Sequence, residues 1–297
     1  MRGLVAGLDY GDAMGIDLHS HTRYSDGRAG PFDLARMAWA GGLDGLAISD
    51  HDTVAHFEES QAACATFGLQ WVPAVELSAE VPSPQGVPGP PRSVHLLGYW
   101  ITDADTPLTI ELRRLRTARR DRALAMIAKI NDLGATLDTE GFMTTWGTAS
   151  IGRPHVARAM VAAGVVDTVQ QAFADWLGEG KPGYVPKGAL GPVGAVQLIR
   201  DAGGAAVLAH PTWGGVDGSM LDAMCTAGLA GIESPRQAYE PEAAERWQRV
   251  AERRGLLLTC GSDFHGEAQS ATMGTFHTDD SMVQKLRSRA EGEVSQW

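Results

Sequence analysis

"IDLHSHTRYSDG" (residues 16–27) sets two histidines and an aspartate directly after a short apolar run. In an extended segment successive side chains alternate faces, so His19 and His21 share one face and Ser20 takes the other. Two imidazoles on one face can grip one ion. Asp26 follows on "YSDG", where Asp-Gly is a turn signal that can bring a third ligand back over the same opening. The stretch reads as a strand that ends on ligand-type side chains, and that pattern recurs along the chain.

After "IDL" come "GLAIS" (45–49), "LQWVPAV" (69–75), "SVHLLGY" (93–99), "AAVLA" (205–209), "AGIES" (230–234) and "LLLTC" (256–260), mostly separated by helical patterns. Such alternation predicts an α/β protein with a parallel sheet, and seven strands suit a closed or nearly closed barrel. "PFDLARMAWAGG" and "PEAAERWQRVAERRG" read as helices that open on proline and stop at glycine. The proline-rich "EVPSPQGVPGPPRS" (80–93) reads as a surface loop.

Between the fourth and fifth strands the alternation stops. A long helix over "PLTIELRRLRTARRDRALAMIAKINDLG" carries Leu112, Leu115, Ala123, Met126, Ile127 and Ile130 at helical spacing, and shorter helices are expected around 154–164 and 167–177. Residues 102–189 are therefore expected to be an inserted helical cap. Residues 14–101 and 190–280 would form the barrel, with 1–13 and 281–297 as terminal extensions.

The 297 residues are 44% hydrophobic and 21% charged, ordinary for a globular chain large enough to bury a full core. No apolar run reaches about 18 residues, which excludes a helical membrane span. The first residues are acidic and too short in apolar character for a secretory signal, so a cytoplasmic location is expected. Cys64, Cys225 and Cys260 are far apart and support neither a disulfide framework nor a thiolate zinc site. A formal net charge of −11 argues against duplex DNA as a partner. That charge is uneven: residues 102–190 hold 11 Lys+Arg against 10 Asp+Glu, a net of +1, which leaves −12 on the rest.

In a parallel barrel the C-terminal ends of all strands share one face, where active sites are built. His19 and His21 follow the first strand, His51 the second in "SDHD", and Glu76 the third in "AVELS". His95 lies on the fourth, His210 ends the fifth in "LAHP", and Asp263 and His265 follow the seventh in "GSDFH". Six of nine histidines and three carboxylates, counting Asp26, would thus converge; His56 and His277 fall outside the pattern. Imidazole and carboxylate without thiolate suit Mn, Fe or Zn, and nine ligands exceed the needs of one ion, so two or three divalent ions are expected. Three such ions against three carboxylates leave a positive pocket suited to an anion. The matching chemistry is phosphate ester hydrolysis by a hydroxide bridging the metals, with His210 and Asp263 as the catalytic candidates.

In order and spacing, "DLHSHTRYSDG", "LAISDHDT", "AVELS", "VHLLGY", "LAHP" and "GSDFHG" resemble the PHP family of metal-dependent phosphoesterases, within the amidohydrolase superfamily. The resemblance implies a distorted (β/α)7 barrel with a trinuclear centre. It further implies that His19, His21, Glu76 and Asp263 hold one ion, that Glu76 bridges to a second held by His95 and His210, and that Asp26, His51 and His265 hold the third.

The inserted segment, through "IGRPHVARAM" and "GKPGYVPKG", resembles the cap of a subgroup that hydrolyses nucleoside 3',5'-bisphosphates or trims short RNA from its 5' end. The first substrate class is the primary expectation. Pro154 can open a helix whose free N–H groups attract phosphate, beside Arg153 as a bidentate donor; Lys187 is a further expected substrate contact, and His155 is either another substrate contact or a support behind the metal ligands. The run Arg113, Arg114, Arg116, Arg119, Arg120 and Arg122 is expected to be a solvated helix face rather than an RNA track. Glu233 and Arg236, in "GIESPRQAYEPE", are left without a role. The rival readings are a phosphatase of a small metabolite such as histidinol phosphate, a metal-dependent amide hydrolase, and a non-catalytic metal-bound module.

Overall fold

The structure, a computed structural model, describes residues 15–82, 91–188, 190–212, 215–234, 240–266 and 272–292. Arg236 and residues 1–13 lie outside the described residues. Seven strands form one curled sheet in chain order: β1 (Ile16–Asp17), β2 (Gly45–Ile48), β3 (Gln70–Val81), β4 (Arg92–Tyr99), β5 (Ala205–Leu208), β6 (Leu229–Glu233) and β7 (Leu257–Thr259). Helices α1 (Pro31–Ala40), α2 (Phe57–Phe67), α7 (Pro192–Asp201), α8 (Gly218–Ala227) and α9 (Pro241–Arg254) cover its outside, and α3 (Pro107–Asp132), α4 (Thr139–Trp146), α5 (Arg153–Ala162) and α6 (Val169–Ala172) form the insert. The expectation of uniformly parallel strands fails at β4, which is antiparallel to both β3 and β5. A parallel return needs a crossover of a dozen or more residues, usually a helix. The connection from Val81 to Arg92 is too short for that, and too rich in proline.

The strand period of two divides the core into two layers. Leu97, Tyr99, Val72, Ala74, Ala47 and Val207 face the barrel interior with Ile16 and Leu18, while Leu96, Val75, Leu77 and Leu208 face the outer helices. The interior is plugged by Val283 and Leu286 of α10 (Asp280–Ala290). Residues 281–290 are therefore part of the barrel, not the start of a terminal extension. Two links close the gap between β1 and β7. Thr278 exchanges backbone hydrogen bonds with Ile16 at 2.8 and 2.9 Å, and its hydroxyl accepts from the Cys260 N–H at 2.7 Å. Higher up, the His21 N–H donates to Phe264 O at 2.9 Å and the Asp263 N–H to His19 O at 2.8 Å.

The 26-residue α3 starts on a Thr106/Thr109 capping box with Pro107 in the first turn. Its first half gives Leu108, Leu112 and Leu115 to the barrel core. Its second half gives Ala123, Met126, Ile127 and Ile130 to a separate cap core with Phe142, Val156 and Met160. One rigid helix thus joins barrel and cap. The short α4, which the sequence reading did not anticipate, supplies Phe142. The expected helix over 167–177 is α6 followed by a π-helical turn, Phe173–Leu177.

Candidate metal centre and phosphate pocket

The backbone at the barrel rim aims the polar side chains inward. His19 and His21 do share a face: their Nε2 atoms are 3.1 Å apart, while the Ser20 hydroxyl turns away to donate to Ala47 O. The loop after them folds back through hydrogen bonds from the N–H groups of Ser25 and Gly27 to Thr22 O, both 3.0 Å, which presents Asp26. A Cβ on Gly27 would stand 2.2 Å from His21 O, so only glycine fits that turn. His95 sits early on β4, yet because β4 runs backwards this places it at the same rim as the C-terminal ends of the other strands. Asp52, His210 and Asp263 adopt positive φ values of 51°, 25° and 50°. These are uncommon conformations that surrounding contacts must hold in place, and they cluster at functional sites.

All nine residues expected as ligands come together. Glu76 is the hub, its carboxylate buried at 1% exposure. Its Oε2 lies 3.4, 3.2 and 3.0 Å from His19 Nε2, His21 Nε2 and His51 Nδ1. Its Oε1 lies 2.8 Å from His95 Nδ1 and 2.9 Å from His210 Nε2. Asp263 Oδ1 lies 3.4 and 3.3 Å from the Nε2 atoms of His19 and His21. Asp26 reaches His265 Nε2 at 3.2 Å and His51 Nε2 at 3.8 Å. Three overlapping groups have ligand atoms within 4.8 Å of one another: His21, Asp26, His51 and His265; His19, His21 and Glu76; His51, Glu76 and His95.

This donor set fits divalent cations. Glu76 Oε2 and His51 Nδ1 are buried without a hydrogen-bond partner although they face each other, and most buried polar atoms are paired. Nitrogen and carboxylate lone pairs converging on shared points have the chemistry of a cation cage, with no thiolate near. The electrostatics agree. Burial alone would push the Glu76 and Asp26 carboxyls up, but the surrounding imidazoles hold both well below the usual range. Burial opposes a charge on His21 too, yet the hydrogen bond it donates to Asp263 and the negative charge of Glu76 beside it raise its pKa to about 10.

Behind the centre lies Glu233, a residue the sequence left without a role. Buried at 5% exposure, it takes one oxygen to 2.8 Å from His19 Nδ1 and accepts the His210 N–H with the other at 2.7 Å. The first contact favours a proton on His19 Nδ1 and leaves Nε2 as the ring atom turned towards Glu76 and Asp263, free to ligate an ion. A carboxylate closing a strand between two histidine-bearing strands was the available signal.

A cavity of about 450 Å³ adjoins the centre, and its lining joins the ligand-type residues Asp26, His51, His95 and His210 with the basic side chains Arg119, Arg122, Arg153 and Lys187. The Arg153 guanidinium stacks over Phe173, 5.6 Å from the ring centre. Lys187 Nζ lies 3.0 Å from Ser93 Oγ and 3.3 Å from His95 Nε2; burial, with Arg119 beside it, brings its pKa down to about 7. His155 does not face this cavity. It is fully buried, its Nδ1 accepts the Gly152 N–H at 2.9 Å and its Nε2 meets Ser25 O at 2.9 Å, so it is not a substrate contact.

The arginine run also departs from a uniformly solvated face. Arg113 pairs with Asp105 and Arg114 with Glu111 on the surface, but Arg119 is buried, ion-paired with Asp52 and 2.8 Å from Ser78 Oγ. Arg122 donates to Val185 O at 2.7 Å and lines the cavity. Positions 112, 115, 119, 123, 126 and 130 form one helical stripe, so the sequence did place Arg119 among core residues. His56 stands apart, buried against Ser60 Oγ at 2.9 Å, and His277 Nδ1 lies 3.4 Å from Gly274 O. Among the described residues no helix is long and apolar enough to cross a membrane.

Comparison with known proteins agrees with this geometry. Residues 17–120 match the PHP domain family. A 3',5'-nucleoside bisphosphate phosphatase of Chromobacterium violaceum is 32% identical over 89% of this chain and 92% of its own length. A 5'-3' exoribonuclease of Haemophilus influenzae is 28% identical over 84% of this chain and 89% of its own. A solved structure from Bifidobacterium adolescentis, assigned to the metal-dependent phosphoesterases, superposes with a TM-score of 0.82 at 32% identity, covering 94% of this chain and 97% of the other.

Proposed function

The chain belongs to the PHP-domain metal-dependent phosphoesterases, hydrolases acting on phosphate esters, and from that premise we propose that it hydrolyses nucleoside 3',5'-bisphosphates. The observation that carries this reading is a single cavity lined both by ligand-type residues and by four basic side chains. A single phosphate needs only the ligand-type residues. The basic side chains suit a further phosphate held roughly a ribose away, and the Chromobacterium relative is a phosphatase of such a substrate.

His19, His21, Glu76 and Asp263 would hold one divalent ion, Glu76 with His95 and His210 a second, and Asp26, His51 and His265 a third, the metals being Mn, Fe or Zn. Bound there, these ions supply Lewis acidity towards the phosphoryl oxygens and activation of water at neutral pH. The remaining chemistry belongs to the chain. Asp263 would accept a proton from the attacking water as the phosphorus–oxygen bond to the ribose breaks, the departing ribose oxygen would take its proton from solvent, and His210 would line the cavity beside the reacting ester. Arg153 opens α5 with Pro154 behind it, so its guanidinium and the helix N-terminus bind the second phosphate. Lys187, half-charged at neutral pH because burial lowers its pKa to about 7, adds a nearby donor. Holding the remote phosphate fixes the reacting one, turning binding energy into orientation.

The test is release of inorganic phosphate from a panel at fixed ionic strength: adenosine 3',5'-bisphosphate, the two adenosine monophosphates, p-nitrophenyl phosphate and histidinol phosphate. The bisphosphate should have the highest kcat/KM by well over an order of magnitude. Equal turnover of histidinol phosphate and the bisphosphate would refute the two-phosphate pocket.

A further inference from the structure

We propose that the cap helix α5 is a splint for the ligand loop: His155 and Arg158 hold residues 24–26 in the shape that aims Asp26 at His51 and His265. This inference rests on the metal-centre reading above.

The loop is gripped from two sides. On the barrel side Asp50 takes the Thr22 N–H at 2.8 Å and the hydroxyls of Thr22 and Ser25 at 2.5 Å each. On the cap side three consecutive carbonyls are taken in turn. Tyr24 O accepts the Ser150 N–H at 2.8 Å, Ser25 O meets His155 Nε2 at 2.9 Å, and Asp26 O accepts Arg158 Nη2 at 2.6 Å. Because the Gly152 N–H donates to His155 Nδ1, the ring is fixed in the tautomer that carries its proton on Nε2, and Trp146 packs edge-on at 4.9 Å. The ring is thus a rigid bridge between the start of α5 and the carbonyl just before Asp26.

The start of α5 also lies close to the Asp26 carboxylate. A Cβ on Gly152 would stand 3.8 Å from Asp26 Oδ2 and 3.3 Å from Arg119 Nη1. Arg153, which we assign to the second phosphate, is the next residue. Phosphate clamp and ligand loop are therefore two ends of one turn of backbone, and order at either end favours order at the other. Removing the His155 bridge leaves Ser25 O and the Gly152 N–H unpaired in a dry site, and the loop must rearrange to satisfy them.

The test is metal retention, read without substrate. Wild-type and variant holoproteins are equilibrated with graded EDTA and the metal remaining per chain is measured, alongside circular dichroism and thermal unfolding. Leucine at 155 removes both ring contacts, whereas glutamine keeps an acceptor and a donor at similar separation. His155→Leu should surrender one equivalent at EDTA concentrations lower by about 10-fold or more, the usual cost of losing support behind a metal ligand, with the other equivalents unmoved. His155→Gln should restore wild-type retention, and Arg158→Met should repeat the selective loss. A folded His155→Leu that titrates like wild type would overturn the splint. Should His155→Leu not fold, unchanged retention in Arg158→Met would overturn it equally. A wild-type protein that holds no ion would overturn the metal-centre reading itself.

Discussion

Glu233 Oε1 lies 2.8 Å from His19 Nδ1, while its other oxygen accepts the backbone N–H of His210 at 2.7 Å. One carboxylate at the end of β6 therefore sets the tautomer of an imidazole beyond β1 and the backbone pose of another beyond β5, where His210 adopts a φ of 25°. Glu233→Gln keeps the size but can place an N–H against either partner. The expected result is a loss of about 10- to 100-fold in metal affinity or activity, the usual cost of removing such support. Metal titration of the variant checks it, and unchanged affinity with unchanged kcat would show that Glu233 only fills space.

Gly261 approaches the first ligand segment more closely than any side chain permits. A Cβ there would stand 2.4 Å from His19 Cβ and 2.5 Å from His19 N. Gly261→Ala should therefore push "GSDFH" away from "DLHSH", costing about 1–3 kcal/mol as overpacking and separating Asp263 from His19 and His21. Chemical denaturation should show the loss of stability and elemental analysis a loss of bound metal. An alanine variant with wild-type values on both counts would mean that the two segments yield freely.

The nine converging residues were legible because each lies on a strand or in the segment that follows one, and strands are the segments that short apolar runs mark best. The orientation of β4 was not legible. His95 joins the rim only because the chain turns back through the proline-rich connection, and an apolar run carries no sign of direction. Arg119 was misplaced for another reason: a charge on a helix defaults to solvent, and its partner Asp52 sits 67 positions away in sequence. His155 looked like a substrate group because "GRPH" opens a helix, but only tertiary packing reveals that both its nitrogens are already used by backbone.

Arg153 and Arg119 both line the cavity but should fail differently. Arg153→Ala removes a charge-assisted contact worth about 1.5–3 kcal/mol, which corresponds to roughly 10- to 150-fold in kcat/KM, with stability and metal content retained. Arg119→Met strips the partner from buried Asp52, and breaking such a pair costs about 3–5 kcal/mol of stability. Thermal unfolding with steady-state kinetics on both variants separates the roles. If Arg153→Ala leaves every phosphorylated substrate at wild-type rates, the cap does not bind phosphate.

Removal of the ions should loosen the barrel rim as well as stop turnover. Six imidazoles and two carboxylates packed around Glu76 would be held together by the ions they bind, and a ligand specific to the folded state adds stability by mass action, about 2.7 kcal/mol at 100 times its Kd. Dialysis against EDTA should therefore lower the Tm and abolish phosphatase activity, and Mn, Fe or Zn should restore both. Activity surviving in protein with at most one ion per chain would rule out a multi-ion centre.

The last expectation concerns substrate length, where the bisphosphatase and exoribonuclease readings part. A strand track needs a row of cations leading away from the reacting centre, and log K for single strands falls with log salt by about 0.7 per phosphate neutralised. On α3 the outward Arg113 and Arg114 are engaged with Asp105 and Glu111, Arg116 donates to Thr148 O, and Arg119 and Arg122 turn into the cavity. Arg120 is exposed, so two of the six arginines join Arg153 and Lys187 at the cavity, a grouping that suits a compact substrate with two phosphates. From adenosine 3',5'-bisphosphate to 5'-phosphorylated di-, tri- and pentaribonucleotides, kcat/KM should drop at the first added nucleotide, and its salt slope should not grow with length. A kcat/KM that holds steady to the pentamer, with a slope that steepens at each added phosphate, would make α3 a track and the enzyme an exoribonuclease.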